Sequence, residues 1–253
     1  MNTGAAQLGP SAVIFGKGSA QAAADPFTQS STQLWPLGTE LIYGERKFRY
    51  CLANGACNAG VLLQSPVLVN ANHRDLDVEP SSAGDYSVTV TLGATAATLN
   101  QYKDGFIHIN DDTADVNSQG HLLKIRSNPA ADASATLALT LYDPVVVALP
   151  TTGVADLIQN PCFDVIIAPA DETGALVGVT PIETTDDYYF WAQTSGICSV
   201  LQAGTVVLGN TAVRSGGTAG ACAPATDNLL QEIGDVSVVN GSGDNCVVNL
   251  NLP

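Results

Sequence analysis

Residues 135–143 read ATLALTLYD, in which Leu137, Leu139 and Leu141 alternate with Thr136, Ala138 and Thr140. A period of two places the two residue sets on opposite sides of an extended chain, so this stretch predicts a strand with one buried and one wet face. The same alternation stands upstream, where Tyr86, Val88, Val90 and Leu92 are interleaved with Ser87, Thr89 and Thr91. Between the two lies LNQYKDGFIHINDDTADVNSQGHLLKIR, residues 99–126. There Phe106, His108 and Asn110 share one face and Ile107 and Ile109 the other, while Leu122, Lys124 and Arg126 alternate with Leu123 and Ile125. That pattern predicts a hairpin or meander joined by a long polar loop.

Working outward, STQLWPLGTELIYGERKFRY (31–50) predicts a hairpin turning at Gly44. In VLLQSPVLVNANHRDLDV, Pro66 separates two short apolar runs and confines any strand there to an edge or breaks it. Beyond Pro144, Pro150 and Pro161, the segments FDVIIAP, ALVGVTPI, DYYFWAQT, ICSVLQ and TVVLGN read as strands, and so do EIGDVSVV and NCVVNLNL after the loop SGGTAGACAPATD. Strands at intervals of about ten residues with turn signals between them predict a mainly β chain, an antiparallel sandwich or barrel. The expected organisation is an extended N-terminal arm (1–30), an N-terminal β domain (31–147) and an acidic C-terminal β domain (148–253).

The 253 residues carry 24 Asp and Glu against 9 Lys and Arg, a formal charge of −15, yet only 13% of residues are charged and 45% are apolar. That composition folds rather than staying disordered. An anionic body repels phosphate, which disfavours nonspecific nucleic-acid binding by the body of the protein. The charge is uneven along the chain: residues 1–126 hold 8 cations and 11 acids, whereas 127–253 hold only Arg214 against 13 acids, giving −3 and −12. No stretch reaches the roughly 18 apolar residues of a membrane span, and the N-terminus lacks a basic segment followed by an apolar one. A soluble chain made in a cytoplasm is expected.

Catalytic chemistry finds little support. His108 and His121 stand on the two arms of the 99–126 hairpin with Asp111, Asp112 and Asp115 between them, but the loop lacks the calcium-loop register and a solvated tip accounts for it better. Ser195 is not in a nucleophile elbow, and SGGTAG opens no helix that could cradle phosphate. Asp171-Glu172 and Asp186-Asp187 sit among turn residues. The six cysteines form no close metal-binding pair, and Cys51 and Cys57 are the one near pair a hairpin could bring together; small buried thiols are the commoner state inside cells. The expectation is a protein with no enzymatic activity, no cofactor and no bound metal.

One cluster stands apart. Arg46, Lys47 and Arg49 supply a third of all positive charge within four residues, interleaved with Tyr43, Phe48 and Tyr50. Arg and aromatic side chains are favoured interface residues, so this strand is a candidate anchor on an acidic partner, ahead of nucleic-acid contact; the competing reading is a hairpin face that needs charge. The arm adds an apolar spot, Val13, Ile14 and Phe15. The expected partner-binding residues are therefore Val13, Ile14, Phe15, Arg46, Lys47, Phe48, Arg49 and Tyr50. Tyr188, Tyr189, Phe190 and Trp191 could form a sugar platform, although alternating aromatics of this kind are more often core.

LWPLGTELIYGERKFRYCLANGACNAGVLLQSP (34–66) resembles a segment common in virion structural proteins of tailed bacteriophages, especially marine ones. Its carriers are the PLG-T turn, the R-x-F-R-Y strand and an Ala/Gly-rich stretch running into a leucine-rich one. The similarity continues through YKDGFIHIND, LLKIRSNPA, LTLYDPV, LIQNPCFDVIIAP and YYFWAQTSGICSVL to VVNLNL, most of residues 34–252. The resemblance implies a capsid decoration or cement protein: a dimer or trimer on the capsid exterior that binds the major capsid protein lattice, assembled in the host cytoplasm; the −3 and −12 split of charge suggests an anchoring N-terminal half and an outward-facing acidic half. A tail, fibre or glycan-binding module is the alternative. The major capsid protein itself ranks lower, because its long spine helix has no counterpart in this sequence.

Overall fold

A computed structural model describes residues 12–15, 24–68, 72–112, 118–226 and 230–252, and no helix occurs among them. The strands are β1 (Ala12–Phe15), β2 (Glu40–Tyr43), β3 (Arg46–Leu52) and β4 (Leu62–Gln64); β5 (Leu76–Asp77), β6 (Ser87–Thr91), β7 (Phe106–Asp112), β8 (Leu122–Ser127), β9 (Thr136–Leu141) and β10 (Gly153–Ile158). They continue as β11 (Ile166–Ile167), β12 (Leu176–Val179), β13 (Tyr189–Leu201), β14 (Thr211–Arg214), β15 (Cys222–Pro224), β16 (Glu232–Val238) and β17 (Asn245–Asn251). All strand ladders are antiparallel, so the mainly β reading holds.

The chain divides differently from the linear scheme of a 31–147 and a 148–253 domain. Residues 67–160 form an inserted unit, and the segments on either side, up to Pro66 and from Pro161, fold together as a split unit. The expected boundary near 147 fails because β10 pairs with β7 and β5, which holds the chain in the inserted unit until Asn160. Pro66 does break the chain, at the first junction. The charge asymmetry dissolves with the linear scheme. The split unit carries five cations against thirteen acids and the inserted unit four against eleven, −8 and −7.

The inserted unit is one six-stranded sheet, ordered β5-β10-β7-β8-β9-β6. Its two ends meet where Val78, just after β5, bridges Val90 of β6 and the Glu79 N–H donates to the Thr89 carbonyl at 2.9 Å. The alternating residues fill the interior: Leu137, Leu139, Ile107, Ile109, Ile125 and Val90 are fully buried, while Thr136, Ala138 and Thr140 face solvent. Each such aliphatic side chain contributes about 1.5–3 kcal/mol on burial. His73 lies in this interior, its ring nitrogens bonded to the Tyr102 hydroxyl and to the Thr95 carbonyl, so it is a satisfied core residue.

The split unit has the path β1-β2-β3-β13-β17-β16-β14-β15, with β4 pairing β11 and β12, and β12 also pairing β13. Its spine is β13. The sequence suggested two strands, DYYFWAQT and ICSVLQ, but the structure has one strand of 13 residues with a bulge. Its first half pairs with β3 and its second half with β17, and the switch comes at Ser195, where Gly196 has a φ of +86°. The buried Gln193 side chain staples the bulge by donating to the Ser195 and Ile197 carbonyls at 3.1 and 2.9 Å. TVVLGN forms no strand; Gly204 and Gly209 at φ +73° and +78° bracket an irregular loop, and the strand follows as β14.

The arm is also shorter than 1–30. Ala24 is buried, and Ser30 exchanges two main-chain hydrogen bonds with Tyr189 at 2.9 and 2.8 Å, so the chain is anchored from residue 24. Further upstream, β1 pairs with β2 in the register Ala12↔Tyr43 to Phe15↔Glu40 and forms the edge of the sheet.

Candidate interaction surface

The basic cluster sits on the β2–β3 hairpin, which closes at the Tyr43↔Arg46 pair through Gly44 and Glu45. Gly44 takes a φ of +63°, the left-handed conformation a two-residue hairpin turn needs. Because side chains alternate, the three cations divide between two faces. Arg46 lies on the face of Phe48 and Tyr50; Lys47 and Arg49 lie on the other. Arg49 is occupied at home, donating to the Gly38 carbonyl at 3.1 Å and pairing with Glu40, its cross-strand neighbour, at 3.5 Å. Lys47 is exposed.

Arg46 is the distinctive residue. Its guanidinium carbon lies 5.3 Å from the ring centre of Phe27, 5.7 Å from that of Tyr43 and 5.8 Å from that of Phe48. Phe27 and Tyr43 meet edge to face at 6.2 Å. Phe27 is held by an Asp25 turn, in which Oδ1 accepts the Phe27 N–H at 2.9 Å, and it remains 42% exposed. No carboxylate lies within ion-pairing distance of Arg46 among the described residues. Together with Phe27, Gln193, Ile197, Cys198 and Asn245, Arg46 lines a concavity of about 190 Å³. A ring-stacked guanidinium keeps its planar N–H fork free for a bidentate acceptor, which fits a carboxylate from outside. Burial pushes the adjacent Cys198 thiol up to about 12 despite the nearby Arg46 charge, which favours the protonated thiol at neutral pH.

Two expected contact residues are corrected. Phe48 and Tyr50 are 0% and 2% exposed, because the inward positions of β3 pack on β13 in the core. The Tyr50 hydroxyl accepts the Leu34 N–H at 3.1 Å, and burial raises it to about 12. The Val13, Ile14 and Phe15 side chains lie outside the described residues, as do residues 1–11 and 16–23. The aromatic run does not present a platform: Phe190 and Trp191 are buried and Tyr188 and Tyr189 half-buried, with Trp191 packed on Trp35 and Tyr50 at 5.2 and 5.0 Å.

His108 turns to Asp156, its Nδ1 lying 3.4 Å from Oδ2, rather than to a metal cluster with His121. Asp115 and the Asp112 side chain lie outside the described residues, and among those described no three His, Cys, Asp or Glu side chains converge on a metal position. Asp186 accepts the Gly55 N–H at 2.6 Å and fixes a turn. Beside it, Asp164 is pushed up to about 6, first by burial and then by the Asp187 and Asp186 charges.

Sequence reading missed the role of Arg214. It is 1% exposed, donating to the Pro169 carbonyl at 2.5 Å and lying 3.7 Å from Glu172, so the lone cation after residue 127 is an internal brace.

Comparison with known proteins finds no matching family model, no matching curated protein and no matching solved structure.

Proposed function

We propose that this chain is a non-enzymatic virion structural protein, a decoration or cement protein that binds the major capsid protein lattice of a tailed bacteriophage and stabilises the head. The observation that carries the reading is Arg46, a cation set over the Phe27 and Tyr43 rings in the lining of a concavity, with no carboxylate within ion-pairing distance among the described residues. In a chain of net charge −15, one aromatic-framed cation free to accept an acidic side chain is suited to docking on a partner surface. The choice of a capsid lattice as that surface rests on the resemblance of residues 34–66 to phage virion proteins. The sheet edge at β1 supports the same reading, since a strand carried on an arm can be added to a neighbour's sheet. A helix-free fold among the described residues favours an accessory protein over a main shell subunit. Burial of Phe190 and Trp191 removes the platform on which a glycan-binding reading would rest.

The test is a count of copies in purified particles and a reconstruction that locates them. Stoichiometric density on the head exterior supports the proposal, whereas absence from particles, or a few copies confined to the tail, overturns it.

A further inference from the structure

The six cysteines are buried free thiols, and four of them stand in pairs that sequence spacing does not suggest. The Sγ atoms of Cys222 in β15 and Cys246 in β17 are 3.3 Å apart. These strands are not ladder neighbours, since β17 pairs with β13 and β16 while β15 pairs with β14. The two sulfurs therefore meet through the interior, where both residues are 0% exposed. The second pair is Cys51 of β3 with Cys162, whose thiols hydrogen-bond each other beside the main-chain bond from the Leu52 N–H to the Cys162 carbonyl at 2.9 Å. Cys57, the sequence neighbour of Cys51, turns instead to the Gly55 carbonyl at 3.5 Å, and Cys198 to the Ser199 carbonyl at 3.5 Å.

We propose that Cys222 with Cys246 and Cys51 with Cys162 are two latent disulfides that close in the folded chain on exposure to a peroxide, leaving Cys57 and Cys198 as free thiols. The inference does not depend on the capsid reading. At 3.3 Å either sulfur of the Cys222–Cys246 pair can donate to the other, and whichever thiol of a pair loses its proton first is the nucleophile. The thiolate attacks one oxygen of hydrogen peroxide and the O–O bond breaks; the expelled hydroxide takes up the thiol proton as water, leaving a sulfenic acid. The partner sulfur attacks that sulfenic sulfur, an S–S bond forms, and the hydroxyl leaves with the second thiol proton as another water. Two thiols thus lose two electrons to one peroxide.

Each bond would act at a defined place. Cys51 precedes the inserted unit in the chain and Cys162 follows it, so their link would join the two segments of the split unit covalently. Cys222 lies in the three-residue strand β15, which pairs with β14 on one side and is bridged on the other at Gln202, so its link to Cys246 would tie this short strand to β17.

The experiment exposes the reduced, folded full chain to hydrogen peroxide, blocks remaining thiols with N-ethylmaleimide under denaturing conditions, and maps the digest with and without reductant. Free thiols should fall from six to two, with the label on Cys57 and Cys198 and with reductant-sensitive peptides linking 51 to 162 and 222 to 246. The thermal midpoint should rise on oxidation and return on reduction. A Cys57→Ala/Cys198→Ala variant should form both links and retain no free thiol, and Cys222→Ser should leave a sulfenic acid at Cys246 that dimedone traps. A Cys51–Cys57 or Cys198–Cys246 link, or six thiols still labelled under conditions that oxidise the denatured chain, would overturn the assignment.

Discussion

Gly196 and Arg46 meet across the β13 bulge: a Cβ on Gly196 would lie 3.0 Å from the Arg46 Cγ and 3.0 Å from the Glu45 carbonyl oxygen. The glycine thereby lets the β2–β3 turn close onto β13, and its φ of +86° is one that L side chains rarely adopt. Gly196→Ala should lower stability by about 1–3 kcal/mol, from backbone strain plus displacement of the turn. Denaturant unfolding followed by fluorescence suits the test, because Trp35 and Trp191 both belong to the split unit.

Arg46 and Arg49 are three residues apart but should behave differently. Arg46→Glu reverses the stacked cation and should abolish retention on shells, with Arg46→Lys only partly restoring it because an ammonium lacks the planar fork. Arg49→Ala breaks a partly exposed pair with Glu40, should cost less than about 1 kcal/mol, and should leave retention unchanged. Co-sedimentation of the variants with undecorated particles separates the two, and equal retention of Arg46→Glu and wild type would remove Arg46 from the interface.

In β9, Leu139 and Thr140 are adjacent in sequence and opposite in environment, one fully buried and the other exposed. Leu139→Ala should destabilise the inserted unit by about 2–5 kcal/mol, and Thr140→Ala should change it by no more than about 0.5 kcal/mol. Hydrogen exchange at the β9 amides reads the difference directly.

Asp164 makes stability depend on mildly acidic pH. Its carboxyl titrates near 6 in the fold against an ordinary 3.8, so the folded chain binds more protons than the unfolded chain between those values. This contribution is fully present below the unfolded value and is lost as pH rises through the folded one. Asp164→Asn removes the charge and suits the residue's φ of +52°. It should raise stability at pH 7 by about 1 kcal/mol after allowance for solvent screening, with no gain at pH 4. Thermal melts of both proteins across that range give the comparison, and parallel curves would refute it.

Most strands were legible because period-two alternation over five or more residues has one dominant physical solution, as in β6, β8 and β9. The hairpin at Gly44 was equally legible from its turn residue. Three features were not. The insertion of residues 67–160 depends on which strands pair at long range, and nothing local in β3 specifies β13 as its neighbour. The unity of β13 was hidden because Ser195-Gly196 reads as a break, whereas a bulge with positive φ continues the strand and changes its partner. At the surface, composition located the basic cluster, but only alternation on the folded hairpin separates Arg46 from Arg49 and sends Phe48 and Tyr50 inward.

The insertion also sets an order of events during synthesis. The inserted unit is complete once Asn160 has left the ribosome, and all its ladders lie within one continuous stretch. The first strands of the split unit cannot finish then: β3 ends at Leu52, and its partner β13 begins only at Tyr189. Until that strand emerges, β3 lacks its ladder neighbour, and Phe48, Tyr50 and Leu52 lack the β13 side chains they pack beside. Nascent chains must carry this apolar hairpin unpaired through the translation of the insertion, which makes β2 and β3 the segment most in need of protection from aggregation before the protein is finished.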